Sequence, residues 1–352
     1  MKAIQLTGSE SLMLSEVEKP EIGPGEALIR VRAASICGSD VRMFRNGYPG
    51  ATPETPLTLG HEFAGVIEKI DDAALAAAPN LIPGARVSVA PNWGCGTCDA
   101  CVSGNTHLCA TYQAFGINAP GGFAEYVRVP AAALSQGNVA IVPNEMSFEE
   151  AALIEPLSCV YNGQEICGIE PGDTVVVVGA GPIGIMHAML AQAKGAGIVA
   201  ICDFNEKRVA QASQLMPDVV ALPGGNLCDQ VMELTDGHGA NVSIVAAPSP
   251  EAQAESFSYM AMNGRCLFFG GLPKDRSHVS IDANQIHYKQ LRIFGSTRSS
   301  IRQYRTCLKL VASGRLPLER LVTHRFTLDQ YEEAFEAAAM GAGLKCVFEM
   351  SV

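Results

Sequence analysis

The stretch Thr174-Val175-Val176-Val177-Val178-Gly179-Ala180-Gly181-Pro182-Ile183-Gly184 decides the fold of this chain. Its first five residues form a continuous β-branched run, which is typical of a strand buried on both faces of a parallel sheet. The glycines fit the pattern G-x-G-x-x-G, and the residues up to Lys194 predict a helix. A strand, a glycine-rich turn and a helix in this order predict a doubly wound α/β fold that binds a dinucleotide pyrophosphate at the helix N-terminus.

A second apolar run, 198–202, ends at Asp203, nineteen residues after Gly184. A carboxylate at this position would bind the adenosine ribose hydroxyls and repel a 2′-phosphate, so the sequence predicts NAD rather than NADP. Taken alone, Asp203 has the alternative explanation of a strand-end cap. The candidate cofactor contacts of the turn are Gly179, Gly181, Pro182, Ile183 and Gly184.

The rest of the chain divides around this motif. Residues 1 to about 150 contain many short alternating runs punctuated by proline and glycine, which predict a small β-barrel or sandwich. Strands and helices alternate further on, as expected for βαβ units. We predict helices at 205–216, 228–235, 250–262, 300–313 and 328–340, and strands at 218–222, 242–247, 265–270, 321–326 and 345–349. The segment after about residue 295 is expected to return to the first domain.

Composition narrows the function classes. The chain has 352 residues, 48% of them hydrophobic, which suffices for two domains with their own cores. A formal net charge of −11 argues against a nucleic-acid partner, since phosphate binding requires a basic surface. No signal-peptide core and no apolar run of membrane-spanning length is found, which predicts a cytoplasmic protein. In that compartment, metal ligation explains clustered cysteines better than disulfides do.

The pattern Cys95-x2-Cys98-x2-Cys101-x7-Cys109 predicts a structural zinc site. Four thiolates close a tetrahedral shell around zinc and leave no open position. A chance cluster of thiols and an iron–sulfur cluster are the alternatives, because three cysteines at this spacing also suit the latter.

A second metal site is predicted from Cys37, the pair His61-Glu62 and Glu155. A thiolate, an imidazole and carboxylate oxygen would hold a zinc ion and leave one position open for water or substrate, as a catalytic zinc requires. Singly, each has an ordinary explanation: a small buried cysteine, a core histidine, or a carboxylate at a helix start. Their combination beside a dinucleotide motif favours the metal site.

These motifs together resemble those of the zinc-dependent medium-chain dehydrogenases, across essentially the whole chain. Glu155-Pro156-Leu157-Ser158 further resembles the sorbitol dehydrogenase branch. The resemblance implies a GroES-like catalytic domain (1–157, with the zinc lobe at 94–110), a Rossmann NAD-binding domain (158–294) and a C-terminal segment (295–352) that returns to the catalytic domain. It suggests a homodimer or homotetramer.

The resemblance also implies roles for individual residues. Cys37, His61 and Glu62 would bind the catalytic zinc, Glu155 would be a direct or water-bridged fourth partner, and Ser39 would pass the substrate proton outward. Further cofactor contacts would be Arg208, Gly271 and Leu272, and Arg298 would lie by the substrate or cofactor. Arg42 stands where relatives often have a proton-relay histidine, and Met43 where they have an aromatic substrate contact.

The predicted function is the zinc- and NAD-dependent oxidation of a secondary alcohol of a polyol or polyol phosphate to the ketone. A polyol phosphate is suggested by the arginines Arg42, Arg45 and Arg298, since an arginine side chain can bind a phosphate group through two parallel hydrogen bonds. A threonine-type amino-alcohol dehydrogenase and a non-catalytic NAD-binding redox sensor are the alternatives.

Overall fold

The computed structural model describes residues 1–350. The chain divides into two compact units. Unit 1 consists of Met1–Ser158 and the described residues from Ser299 onward, and unit 2 consists of Cys159–Arg298. Within residues 1–350, no helix has both the length and the apolar character needed to cross a membrane.

The described residues form eighteen β-strands, thirteen α-helices and four short 3-10 turns. The strands are β1 Lys2–Gly8, β2 Ser11–Glu16, β3 Ala27–Ser35, β4 Leu57–Thr58, β5 Glu62–Ile70, β6 Arg86–Val89, β7 Asn92–Trp93, β8 Gln113–Ala114, β9 Tyr126–Val129, β10 Val139–Ile141, β11 Thr174–Val178, β12 Ile198–Cys202, β13 Val220–Leu222, β14 Ala240–Val245, β15 Met260–Phe268, β16 Arg292–Gly295, β17 Val322–Phe326 and β18 Lys345–Glu349. The α-helices are α1 Gly38–Asn46, α2 Asp72–Ala77, α3 Asp99–Val102, α4 Ala131–Gln136, α5 Phe148–Ala152, α6 Ile154–Cys167, α7 Pro182–Ala193, α8 Glu206–Leu215, α9 Leu227–Leu234, α10 Pro250–Glu255, α11 Ala283–Lys289, α12 Ile301–Ala312 and α13 Tyr331–Met340. Short 3-10 turns cover Thr106–Leu108, Lys274–Arg276, Leu318–Leu321 and Leu328–Gln330.

Unit 1 is built on a mainly antiparallel sheet in which the described strands follow the order β10-β6-β5-β3-β18-β17, with β9 also paired to β3. The centre of this sheet is the pair β3–β5, and β18 from the end of the chain lies against β3. Its core contains edge-to-face aromatic pairs such as Phe63–Phe115 and Phe123–Phe348. The β-rich character predicted for the first 150 residues is therefore found.

Unit 2 is a six-stranded parallel sheet in the order β13-β12-β11-β14-β15-β16. The chain moves from β11 to one edge of the sheet and then to the other, which is the doubly wound topology with the switch point beside β11. The β-branched residues Val175–Val177 of the central strand are completely buried. The predicted doubly wound α/β fold is confirmed.

Two sequence predictions need correction. The helix predicted for 250–262 ends at Glu255, and Met260 already belongs to β15, where it pairs with Ala240. Pairing with β14 outweighs the helical propensity of this segment. The strand predicted for 218–222 is shorter and begins at Val220.

The alanine-rich patch after Asp71 forms α2. The carboxylate of Asp71 caps this helix by accepting the Ala73 N–H at 3.1 Å, and it also accepts the Gly25 N–H at 2.8 Å. These two bonds anchor the start of α2 to the loop before β3.

Candidate active site and metal centres

Cys37, His61 and Glu62 meet in unit 1, with ligand atoms that all lie within 4.8 Å of one another. Strand pairing brings them together, because β3 and β5 are antiparallel with Ser35 opposite Glu62. Cys37 follows β3 and directly precedes α1, while His61 and Glu62 stand at the start of β5. His61 and Glu62 are buried and Cys37 is half-buried, so the cluster is partly open to solvent.

Asp40 and Ser39 lie on opposite sides of the His61 ring. Asp40 Oδ1 is 3.5 Å from His61 Nδ1, and Ser39 Oγ is 3.4 Å from Nε2. Asp40 is itself fixed, because its Oδ2 accepts the Cys37 N–H at 2.8 Å. A proton on Nδ1, facing the carboxylate, leaves Nε2 as the nitrogen with a lone pair for a metal.

The charges around His61 favour a positive ion at this position. Burial alone would lower the pKa of the imidazole, but the charges of Asp40 and Cys37 outweigh it and raise this pKa well above the ordinary value. A cation, either a proton or a metal ion, is therefore stabilised between these groups.

Lys345, from β18, provides a fixed positive charge beside the cluster. Its Nζ lies 2.6 Å from Glu62 Oε2 and donates to the Ile36 carbonyl at 3.1 Å, and its side chain is only 4% exposed. Burial disfavours the charged ammonium, but the charges of Glu62 and Cys37 raise its pKa above the usual value. Lys345 is thus a charged partner of Glu62.

The residues present fit a zinc ion. Thiolate, imidazole and carboxylate are donors that zinc accepts, and three protein ligands leave a fourth position for substrate. Glu62 Oε1 is buried and has no hydrogen-bond partner among the described residues. A buried carboxylate oxygen without a partner is costly, and a bound metal would satisfy it.

Glu155 lies in the first turn of α6 and is buried, but it is not among the three residues of the cluster. Its charge contributes to the raised pKa of Lys345 and to that of Tyr304. Glu155 is therefore close enough to influence the charges of the cluster, although it is not one of the three residues whose ligand atoms converge.

The four cysteines of the lobe also come together, with all sulfurs within 4.8 Å of one another. Cys98 Sγ lies 3.5 Å from Cys101 Sγ, which lies 4.0 Å from Cys95 Sγ. Zinc–sulfur bonds of ~2.3 Å in a tetrahedron place the sulfurs about 3.8 Å apart. The lobe therefore has the dimensions of a closed zinc–thiolate site.

The environment of these sulfurs differs from one cysteine to the next. Hydrogen bonds from Thr97 and from the Cys98 N–H lower the pKa of Cys95 to about 6. Burial raises the pKa of Cys101 to about 12. Metal binding to the lobe must therefore release the proton of the Cys101 thiol.

The glycine turn in unit 2 has the form that a dinucleotide requires. Gly184 packs so closely that a Cβ would lie 1.7 Å from the Gly179 carbonyl oxygen, while no described atom lies within 4 Å of a Cβ at Gly181. Asp203 accepts the Ala180 N–H at 2.8 Å and the Asn205 N–H at 2.9 Å, which fixes its carboxylate at the end of β12. Gly179 of the turn and Asp203 line a cavity of about 550 Å³, which suits the adenosine half of NAD.

The remaining predicted contacts are placed as follows. Arg208 lies on α8, Gly271 and Leu272 follow β15, and Arg298 is in unit 2 with a left-handed backbone at φ 54°. In unit 1, Arg42 is on the exposed side of α1. Arg45 is also exposed and donates to the Ala339 carbonyl at 3.2 Å.

Comparison with known proteins places the chain in a family. The model for the alcohol dehydrogenase GroES-like domain matches residues 23–139, and the zinc-binding dehydrogenase model matches residues 182–313. An L-threonine 3-dehydrogenase of Chelativorans sp. (strain BNC1) is 34% identical over 99% of this chain and 98% of its own length. The chain belongs to the zinc-dependent medium-chain dehydrogenases. Zinc and NAD(H) are cofactors of this dehydrogenase, and its fold is the GroES-like domain combined with the Rossmann sheet.

Solved structures agree with this assignment. An alcohol dehydrogenase from Escherichia coli CFT073, complexed with NADH, has a TM-score of 0.87 at 27% identity and covers 99% of both chains. Galactitol-1-phosphate dehydrogenase from Escherichia coli has a TM-score of 0.87 at 26% identity, covering 99% of this chain and 100% of its own. The dehydrogenase is thus an alcohol-oxidising type of enzyme. The narrower prediction of the sorbitol branch is not confirmed, because the curated relative is a threonine dehydrogenase.

Sequence reasoning missed Lys345 and the orienting role of Asp40. Asp40 had a signal, since it lies within the Cys37-Gly38-Ser39-Asp40 motif. Lys345 had none, because 283 residues separate it from Glu62 and only the pairing of β18 with β3 brings the two together.

Proposed function

We propose that this dehydrogenase oxidises the secondary alcohol of a β-hydroxy amino acid, with L-threonine as the first candidate, and reduces NAD. The observation that carries the proposal is the cluster of Cys37, His61 and Glu62. The 34% identity to an L-threonine 3-dehydrogenase over nearly the whole chain supports the amino-acid substrate. This alternative is better supported than the polyol that the sequence motifs first suggested.

In this proposal the side chains around the cluster have separate tasks. Bound zinc supplies a Lewis acid that lowers the pKa of the substrate alcohol. Ser39, whose hydroxyl lies beside His61 Nε2 and is half-buried, accepts the alcohol proton and passes it to solvent. Asp40 keeps His61 in the tautomer that leaves Nε2 available. The glycine turn and Asp203 would hold NAD, which would supply the nicotinamide as hydride acceptor.

The test is NADH formation measured by absorbance with L-threonine, D-threonine and L-serine, each with and without a chelator. We expect chelator-sensitive turnover with L-threonine and much less with the other two. The Ser39→Ala variant should lower kcat strongly, whereas Ser103→Ala, an exposed serine on the cysteine lobe, should not. Turnover that persists undiminished in Ser39→Ala would contradict the proton path, and no turnover of any amino alcohol would contradict the substrate class.

A polyol phosphate is the second candidate. The structural likeness to galactitol-1-phosphate dehydrogenase and the exposed Arg42 on the helix that begins beside Cys37 favour it. The same assay with a free polyol and its phosphate ester separates the two candidates. A phosphate-bearing substrate should lose affinity in Arg42→Gln, while L-threonine turnover should change little.

A non-catalytic NAD-binding redox sensor would need the NAD site and the cysteine lobe, but not the cluster of Cys37, His61 and Glu62. We infer that the second cluster, with its half-buried Cys37, argues for an enzyme, because a sensor does not require an open Lewis-acid position. Zinc analysis distinguishes the two, since the enzyme is expected to hold two zinc ions per chain and the sensor one.

We also propose that the chain forms a homo-oligomer through β16, the last strand of the unit 2 sheet. Among residues 1–350, β16 pairs with β15 on one side and with no strand on the other, and its Ile293 is 39% exposed. Met262, on the neighbouring strand β15, and Tyr288, on α11 just before β16, are 69% and 72% exposed. A free strand edge beside exposed apolar side chains is suited to pairing with a second copy.

A further inference from the structure

The buried lysine of the catalytic cluster has an unusual position for a cation. Lys345 Nζ lies 2.6 Å from one carboxylate oxygen of Glu62, which is itself one of the three candidate metal ligands. It also donates to the carbonyl of Ile36, the residue before Cys37. A permanent positive charge is therefore built in beside a site that must receive a divalent cation.

The two oxygens of Glu62 are consequently unequal. Oε2 is held by the ammonium group, whereas Oε1 is buried with no hydrogen-bond partner among the described residues. A carboxylate that shares one oxygen with an ammonium group is a weaker electron donor than a free carboxylate. It also cannot turn to present both oxygens to a metal without breaking the 2.6 Å contact.

We propose that Lys345 is a positioning residue that limits Glu62 to a weak ligand through Oε1 alone and so keeps one coordination position free for the substrate. This inference rests on the proposed function, because it requires a metal at the cluster of Cys37, His61 and Glu62.

A purely structural role would have different consequences. Buried ion pairs add little net stability compared with apolar residues of similar size, so fold stability alone does not explain Lys345. In a structural role, loss of Lys345 would loosen β18 and weaken metal binding. In the proposed role, its loss removes a repelling charge and frees Glu62, so metal binding becomes tighter while turnover falls.

The experiment compares the wild type with Lys345→Met, which keeps the length of the side chain without its charge, and with Lys345→Arg. Zinc affinity is measured by competition with a chelator, and the zinc of the cysteine lobe serves as an internal reference. We expect Lys345→Met to bind the catalytic zinc about tenfold more tightly, with kcat at least tenfold lower, and Lys345→Arg to be close to the wild type. Lys289→Met is the control, because Lys289 is a half-buried lysine of unit 2 that binds the main-chain carbonyls of Ser258 and Met260.

A spectroscopic measurement reports the coordination directly. With cobalt(II) in place of zinc, the visible bands of the catalytic site should shift in Lys345→Met relative to the wild type. The single variant Glu62→Gln and the double variant Lys345→Met/Glu62→Gln should have the same bands as each other, because Lys345 acts through the Glu62 carboxylate.

The outcomes are distinguishable. Two zinc ions in the wild type and weaker zinc binding in Lys345→Met, or cobalt bands that do not move, would overturn the inference and leave the proposed function intact. A single zinc ion per wild-type chain, held by the cysteine lobe, would overturn both.

Discussion

At the scale of single residues, we propose that Asp203 determines the preference for NAD over NADP. Its carboxylate is fixed by two main-chain N–H groups at the end of β12, where it faces the cavity for the adenosine ribose. We expect Asp203→Asn, which keeps an acceptor and removes the charge, to lower kcat/KM for NAD about tenfold and to raise it for NADP. Steady-state kinetics with both cofactors measure this change. Asp218→Asn, an exposed aspartate of unit 2, should leave both values unchanged.

His187 links the stability of unit 2 to pH. It is fully buried, with Gln164 Nε2 3.3 Å from its Nδ1 and the Phe269 ring packed edge-on. Burial, and secondarily the charge of Lys194, lower its pKa to about 3. The unfolded chain takes up a proton near pH 6.5 and the folded chain does not. Stability is therefore complete above pH 6.5 and is lost progressively as the pH falls toward 3.

The size of this pH dependence is set by the single proton that His187 takes up on unfolding. Between pH 6 and pH 4.5, the wild type should lose about 1.4 kcal/mol of unfolding free energy per pH unit more than His187→Gln, which cannot titrate. Urea unfolding of both proteins at several pH values measures the difference. Parallel pH dependences in the two proteins would show that His187 is charged in the folded state.

The sequence was most informative about residues that belong to short motifs. Cys37, His61, Glu62 and the four cysteines of the lobe were all singled out, and the structure brings each group together. Lys345 could not be predicted, because its role depends on strand pairing across 283 residues. Glu155 was expected as a direct or bridged ligand, and its burial outside the three-residue cluster could not be read from sequence.

At the scale of elements, the cysteine lobe forms a compact candidate zinc site around α3. Its four sulfurs all lie within 4.8 Å of one another, and the N–H groups of Cys95 and Cys98 approach the sulfurs of Cys109 and Cys95 at 3.4 Å. We expect Cys101→Ser to reduce the zinc content from two ions per chain to one and to lower the midpoint temperature of thermal unfolding. Metal analysis checks this result. Cys228→Ser, a cysteine outside both clusters, should retain two zinc ions.

The boundaries of helices and strands were predicted well where nearby residues determine them, and poorly where pairing with a distant strand determines them. The β-branched run of β11 and the glycine turn before α7 are of the first kind, because the residues themselves favour a strand and a turn. The helix predicted for 250–262 is found at Pro250–Glu255, but its predicted end was wrong because Met260 pairs with Ala240 on the neighbouring strand. A single sequence contains no signal for that pairing.

At the scale of the whole molecule, the proposed oligomer can be tested at β16. Ile293→Lys places a charge on the free edge, so it should lower the oligomer mass measured by light scattering after size-exclusion chromatography. Ile281→Lys is the matched control, because Ile281 is equally exposed, at 40%, but lies outside any strand. If Ile293→Lys retains the wild-type mass, β16 is not the interface.

The placement of β18 has a consequence for the newly made protein. Cys37 leaves the ribosome long before Lys345, and at ordinary translation speeds of about 5–20 residues per second the interval is about 15–60 s. Unit 2 is a continuous segment that can fold during this interval, whereas the central sheet of unit 1 must wait for its strand from the far end of the sequence. A nascent chain therefore presents Cys37 and Glu62 without their ammonium partner, and zinc captured at that stage would meet a stronger ligand set than it does in the finished enzyme.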